Sequence, residues 1–374
     1  MRFSDIPGNY QAKERLRAMA DSGRIPHAIL IEGPSGTGKF AMARAFAQYI
    51  HCENRTPEGE PCGRCLSCLQ HESFNHPDTV FSFPILKTAS AAGVCDDLAD
   101  DWKKFLNDSP FMEFDRWLQV LGNPNGQPVV YSAEALSIAR KFSKTSYSTK
   151  YRILLFWLPE RMQNECANKL LKLIEEPFPD SLLVFVSDNP GEILPTVRSR
   201  LQSVSVNRVP APEIATYLER ELGADHVSAM AVAHIADGSL TAARNHMLQS
   251  KEYSQFLELF MLLMRAAYKR QVGVLRKWST DISALGREAE IRFLSYCERM
   301  MRENFINNMH IPSLVYMTPA EQAFSTRFSP FINERNVERL LSEFASARTD
   351  IAANANAKIV FFDLAIHVIL LLKA

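Results

Sequence analysis

The chain has 374 residues, 47% of them apolar, with 42 basic and 42 acidic side chains and therefore no formal net charge. That length allows two or three domains with cores of their own, and the neutral balance excludes a globally basic nucleic-acid binder, leaving any such contact to a local patch or to neighbouring proteins. The opening Met-Arg-Phe-Ser-Asp-Ile-Pro lacks the plan of a secretion signal, and apolar runs such as Val360-Phe362 and Val368-Leu372 are too short to span a bilayer; the expectation is a soluble, cytoplasmic protein without a membrane partner, whose cysteines stay reduced.

In chain order, residues 9–23 carry helical spacing with Leu16 and Met19 inward and Gly23 as the stop. Ile29-Leu30-Ile31 then reads as a short strand leading into Gly33-Pro34-Ser35-Gly36-Thr37-Gly38-Lys39-Phe40, and Ala41–Ile50 as a helix. This is the phosphate-binding pattern of glycine, four residues, glycine and lysine, complete except at its last position. Gly33, Pro34, Gly36, Thr37, Gly38 and Lys39 are the candidate cradle for ATP or ADP, in which backbone N–H groups, the helix N-terminus and the lysine would meet the phosphates. The final Ser or Thr normally holds magnesium. Phe40 has no oxygen, so that ligand is missing and magnesium-assisted hydrolysis is not expected.

Residues 51–76 hold Cys52, Cys62, Cys65 and Cys68, spaced Cys-x9-Cys-x2-Cys-x2-Cys. Two-residue gaps let neighbouring thiolates converge on one tetrahedral ion, and four of them close its shell, which predicts a structural zinc module rather than a catalytic one. The alternatives are a pair of disulfides or four unligated thiols. His51, His71 and His76 could replace a ligand but are read as surface histidines, and Cys95, Cys166 and Cys297 as small packing residues.

Thr79-Val80-Phe81 is a second strand. Residues 82–128 are less regular, with Asp96, Asp97, Asp100 and Asp101 as a solvated helix start, followed by Trp102, Phe105, Phe111, Phe114 and Trp117, to which we assign apolar cover and no chemistry. Ser132–Ser143 is helical, with Ala135, Leu136, Ile138, Ala139 and Phe142 inward. Tyr151–Trp157 is a buried strand, and Asn164–Glu176 an amphipathic helix ended by Pro177. Leu182–Val186 and Val204–Val206 complete the strands. Near-continuous apolar strands alternating with helices predict an α/β domain with a doubly wound parallel sheet. Beyond Pro210 short helices follow at Ala211–Leu222, His226–Ala236 and after Gly238-Ser239, and from about Glu252 the chain is helical, with breaks near Pro312, Pro319 and Pro330. Three domains are expected, 1–208, 209–248 and 249–374.

Several motifs, in order and at matching spacing, resemble the clamp-loader ATPases of the AAA+ superfamily, and within them the delta-prime subunits of bacterial DNA polymerase III. They are Ile25-Pro26-His27-Ala28-Ile29-Leu30-Ile31-Glu32-Gly33-Pro34, the cysteine module after the first helix of the sheet domain, Asn168–Pro177, and Thr196-Val197-Arg198-Ser199-Arg200. The similarity covers roughly residues 1–250, and residues 82–128 look like an insertion. It implies an AAA+ P-loop sheet domain, a helical lid and a C-terminal helical collar. It also places an Asp-Glu pair, one carboxylate for magnesium and one to activate water, where this chain has Trp157 and Leu158, with Glu160 at a later, surface position. The lid motif Gly-Ser-x-Arg-x-Ala becomes Gly238-Ser239-Leu240-Thr241-Ala242-Ala243, so its arginine is Thr241, and the first sensor falls on Ser187 or Asp188. Arg200 is retained where the family supplies an arginine finger in trans, with Arg198 as the lesser candidate. The resemblance thus implies a subunit without ATPase activity of its own, in a hetero-oligomeric ring with gamma/tau and delta subunits, helping to load the sliding clamp on primed DNA as part of the DNA polymerase holoenzyme. Two other readings stay open: an active gamma-like ATPase with an unusual metal site, and a zinc-dependent interaction module on a vestigial ATPase fold.

Overall fold

Three apolar segments and two more polar ones become five strands: β1 (Ala28–Glu32), β2 (Thr79–Ser82), β3 (Arg152–Trp157), β4 (Ser181–Ser187) and β5 (Gln202–Ser205), the last starting two residues before the expected Val204–Val206. They form one sheet of order β2-β3-β4-β1-β5, parallel throughout. The computed structural model describes residues 1–87, 93–123, 126–248, 250–309 and 314–372. Residues 88–92 and 124–125 of the expected insertion, and the expected break at Pro312, lie outside them.

The helices in order are α1 (Tyr10–Asp21), α2 (Lys39–His51), α3 (Leu66–Glu72), α4 (Ala99–Asp108), α5 (Phe114–Val120), α6 (Ser132–Phe142), α7 (Asn164–Glu175), α8 (Pro195–Arg198), α9 (Ala211–Leu222), α10 (His226–Ile235), α11 (Leu240–Leu248), α12 (Ser250–Tyr268), α13 (Val272–Ile282), α14 (Arg287–Asn307), α15 (Pro319–Phe328), α16 (Val337–Ala352) and α17 (Ala357–Leu371). They and the sheet divide into two compact units, residues 1–217 with 236–244, and residues 218–235 with 245–374.

In the first unit a strand's side chains alternate between faces, so both faces need cover. Ala28, Leu30, Leu154, Phe156, Leu183 and Phe185 pack against Ile138 and Phe142 of α6 and Leu170 and Ile174 of α7. The opposite face meets α2. One inward assignment fails. Leu136 is 51% exposed, because the helical period that buries Ala135, Ile138 and Phe142 turns residue 136 to solvent, and Glu134 and Ser137 are buried instead. In the second unit α14 packs on α16 and α13 on α17, and Trp278, Phe293 and Phe361 meet in its core. Pro319 opens α15 behind the Thr318 cap, and Pro330 lies in a 3-10 turn. The expected combination of a parallel-sheet α/β fold and a helical remainder is what the chain adopts. No helix among the described residues is long and apolar enough to cross a membrane.

Candidate functional site

The loop from Gly33 to Phe40 joins the C-terminal end of β1 to α2. Gly33 cannot carry a side chain, since a Cβ there would lie 2.0 Å from the Val206 carbonyl oxygen. Gly36 has φ +76°, and a Cβ on it would meet Ser239 Oγ at 2.0 Å. The Gly36 carbonyl in turn accepts hydrogen bonds from the amides of Leu240 at 2.8 Å and Thr241 at 3.3 Å. The Gly238–Thr241 turn is therefore closed directly onto the loop.

Lys39, the residue expected to reach phosphates, is buried and already engaged. Its ammonium lies 2.7 Å from Asp188 and donates to the Pro34 carbonyl. Burial pushes its pKa down and the Asp188 carboxylate pulls it back up. Of the two sensor candidates, it is Asp188 that faces the lysine. Glu160 accepts from the amides of Asp188 and Asn189 at 2.9 and 3.0 Å, and burial raises its pKa. Its carboxyl group is thus tied to the loop after β4.

The positions where the motif and the resemblance lead one to expect oxygen ligands are apolar and packed. Phe40, 2% exposed, meets Trp102 edge-on at 5.9 Å and Phe81 at 6.4 Å. Trp157, also 2% exposed, meets Trp102 at 5.5 Å, Phe105 at 5.9 Å and Phe114 at 6.3 Å. Trp102 stacks on Phe83 at 3.9 Å and Trp117 closes the group, its indole N–H donating to the Pro84 carbonyl at 2.7 Å. Phe83, Trp102, Phe105, Phe114 and Trp117 of residues 82–128 thus form one core with Phe40 and Trp157. The remaining cavity beside the loop, lined by Gly36, Gly38, Lys39, Phe40, Met112, Trp157, Val186 and Asp188, is about 20 Å³. Small-molecule pockets run to several hundred Å³. Sequence reading assigned the aromatics to apolar cover but not their docking place. The available signal was chemical: aromatic residues at 40 and 157, where the motif wants polar ones, need aromatic partners.

The four motif cysteines come together at the end of α2 and the start of α3, their sulfur atoms within 4.8 Å of one another. Cys62 and Cys68 are 3.9 Å apart. A tetrahedral zinc with Zn–S bonds of about 2.3 Å has S–S edges of about 3.8 Å, whereas a disulfide needs about 2.05 Å. Backbone amides of Cys62, Arg64, Cys65 and Cys68 donate to cysteine sulfurs, as they do to thiolates. Burial pushes Cys68 up to about 12 and raises Cys52, while the amides of Arg64 and Cys65 draw Cys62 down to about 6. A divalent cation would offset that burial cost, and the donor set fits a structural metal ion.

The three histidines are not surface residues. His51, His71 and His76 are buried in one cluster beside this module, with all three ring centroids 4.3 to 5.1 Å from one another. His51 is hydrogen-bonded to His71 at 2.8 Å and to the Tyr151 carbonyl at 2.9 Å, and His76 to Ser67 at 2.9 Å. Burial holds all three below the usual imidazole range, His51 at about 3. The helical period that places Cys68 inward places His71 inward one turn later, so they are core. Cys95, Cys166 and Cys297 are buried, as expected of packing residues.

Arg200 stands elsewhere. It is exposed, between α8 and the start of β5, paired with Glu175 at 2.6 Å and donating to the Thr196 carbonyl at 2.7 Å. Arg198 lies 3.6 Å from Glu32. The phosphate-binding loop follows the C-terminal end of β1, and Arg200 precedes the N-terminal end of β5, so in a parallel sheet they lie at opposite ends of the strands.

Sheet order, phosphate-type loop and the turn closing on it define a P-loop protein of the AAA+ type. The family model described as DNA polymerase III, delta subunit, matches residues 8–210, and the chain belongs to that family. Relatives include the delta' subunit of DNA polymerase III from Bacillus subtilis, 27% identical over 49% of this chain and 43% of that protein. That of Escherichia coli is 25% identical over 62% and 57%. The gamma/tau subunit of Mycobacterium bovis is 28% identical over 58% of this chain and 31% of its own length. The chain therefore spans less than two thirds of the length of these curated relatives. A solved DNA polymerase III gamma subunit-related protein of Thermotoga maritima is similar at a TM-score of 0.41 and 14% identity, covering 95% of this chain and 98% of that one.

Proposed function

We propose that the chain is a delta-prime-like subunit of a DNA polymerase III clamp loader, without ATPase activity of its own, that donates Arg200 to the ATP site of a neighbouring subunit. On this reading residues 1–208 are the AAA+ domain, 209–248 the lid and 249–374 the collar; gamma/tau and delta subunits are the ring partners, the sliding clamp and primed DNA are reached through the complex, and Cys52, Cys62, Cys65 and Cys68 hold structural zinc.

The observation that carries it is the contrast between the two ends of the strands. At one end Phe40 and Trp157 stand where magnesium ligands are required and Leu158 where an activating carboxylate is, and all three are core residues. At the other end a guanidinium is exposed, held by a surface ion pair and one carbonyl. Such a pair contributes about 1 kcal/mol or less, so exchanging Glu175 for a phosphate on another subunit costs little. Arginine fingers in nucleotide hydrolases raise rates by roughly three to five orders of magnitude.

Reconstitution with gamma/tau and delta subunits tests this. Arg200→Ala is expected to preserve ring assembly and to lower clamp-loading ATPase activity at least about tenfold, a threshold set below the roughly thousandfold lower end of finger effects. Unchanged activity refutes the finger, failure to assemble refutes the subunit assignment, and ATP hydrolysis by the isolated chain that Lys39→Ala abolishes refutes the non-catalytic assignment.

A further inference from the structure

Loss of the magnesium ligand and the carboxylate pair removes hydrolysis but leaves a phosphate cradle that could still take up nucleotide. The insertion bears on that separate question. Between α4 and α5 it makes a turn, residues 109–112, braced by Ser109, whose hydroxyl donates to the Phe111 carbonyl at 2.9 Å and accepts from the Phe111 amide at 3.2 Å. The turn delivers two side chains to the loop. Met112 lines the residual cavity opposite Gly36 and Lys39. Phe111, 2% exposed, comes within 3.5 Å of where a Cβ on Gly38 would stand, a place also bordered by Ile6 and Leu240, and its ring meets Tyr217 at 5.5 Å.

Phe111 and Met112 therefore stand against the loop, Phe111 at the point where Ile6 of the segment before α1 and Leu240 of the closing turn also converge on Gly38. Asp188 completes the substitution by supplying Lys39 with an anion at 2.7 Å. We propose that the 109–112 turn is an internal surrogate for nucleotide. It fills the cleft beside residues 33–40 and gives the loop and the 238–241 turn the fixed partners that a bound ligand would otherwise supply. The chain is then permanently closed at this site, and the insertion's role is to keep it so. This goes beyond the non-catalytic reading, since a filled cleft removes binding as well as chemistry.

Titration of the isolated full-length chain with fluorescent mant-ADP, with hydrogen exchange on the same protein, tests it. Wild type is expected to show no saturable binding up to about 1 mM nucleotide. The amides of Leu240 and Thr241, which donate to Gly36, should be protected without any ligand and unchanged by ADP. Replacing Phe111→Ala together with Met112→Ala should raise their exchange at least about tenfold while exchange in α3 of the cysteine module is unaltered. Saturable micromolar binding by wild type overturns the proposal and leaves the role of Arg200 standing. Leu240 and Thr241 exchanging as freely as an exposed turn in wild type overturns it too, and so does exchange that the double variant leaves unmoved. If the double variant fails to fold, the two wild-type measurements decide alone.

Discussion

Phe40→Thr restores the phosphate-loop pattern, and the structure says that it harms the protein rather than reviving it. Phe40 is buried against Phe81 and Trp102. Truncating a core Phe to Ala costs about 3–5 kcal/mol. Threonine returns one methyl but buries a hydroxyl among aromatic rings, at about 1–3 kcal/mol if unpaired, so the net loss is about 4 kcal/mol. The protein has four tryptophans, and Trp102, Trp117 and Trp157 all lie in the first unit. In a Trp278→Phe background their emission reports that unit alone. With a slope of about 2 kcal/mol per molar urea, the unfolding midpoint should fall by about 2 M, with no gain in ATP affinity. A loss below about 1 kcal/mol, or new ATP binding, would show that Phe40 is drift in an otherwise open site and refute the reasoning.

Metal analysis of protein never exposed to chelator should find about one equivalent of zinc, and less than about half would count against a four-thiolate site. Because burial holds the free Cys68 thiol at about 12, zinc uptake at neutral pH must displace its proton; calorimetry in buffers of different ionisation enthalpy should register that release, and affinity should fall as the pH falls. Asp78 predicts an acid limit. It is fully buried, and although burial alone would raise its pKa, hydrogen bonds from the amides of Tyr147, Ser148 and Thr149 hold it well below the usual carboxylate range. A depressed folded value means stability that is fully present above about pH 4 and lost as pH falls below it. Asp78→Asn should lower stability at pH 7 by about 2 kcal/mol and flatten the pH dependence below pH 4 in urea titrations; an equal pH slope in the variant would contradict the assignment.

The centre of the sheet was legible because β1, β3 and β4 are buried on both faces and so read as near-continuous apolar runs, whereas the edge strands β2 and β5 carry polar residues; the loop and cysteine module were legible because their chemistry demands fixed spacing. What escaped was tertiary. The period of α3 that buries Cys68 also buries His71, yet nothing local says that His51 and His76 arrive to stack on each other and pack against it. Nor does any spacing between residues 40, 102 and 157 announce that they share one core. Each aromatic looks like ordinary apolar cover until the sheet brings the end of β3 beside the start of α2. Losses at Phe40 and Trp157 that seem separate in sequence are thus one packing event.

The same sheet implies that the filled site and Arg200 are energetically independent. Gln202 pairs with Ile29, and the Val206 amide donates to Glu32, the residue before the loop. Four residues of strand at about 3.3 Å each, with Arg200 two residues further back, separate the guanidinium's backbone from the loop by roughly 15 Å or more. Sites beyond about 7–10 Å that share no partner add within about 0.5 kcal/mol. The partners differ: Glu175 and Thr196 for Arg200, Phe81 and Trp102 for Phe40. The unfolding shift caused by Phe40→Thr should therefore be the same with or without Arg200→Ala. In a reconstituted loader, Phe40→Thr that still folds should leave ATPase activity near wild type, and the double variant should match Arg200→Ala alone. A coupling above about 1 kcal/mol in either measurement would mean that β1 and β5 transmit the state of one end of the strands to the other, and the filled loop would then be a regulator of the finger rather than a scaffold behind it.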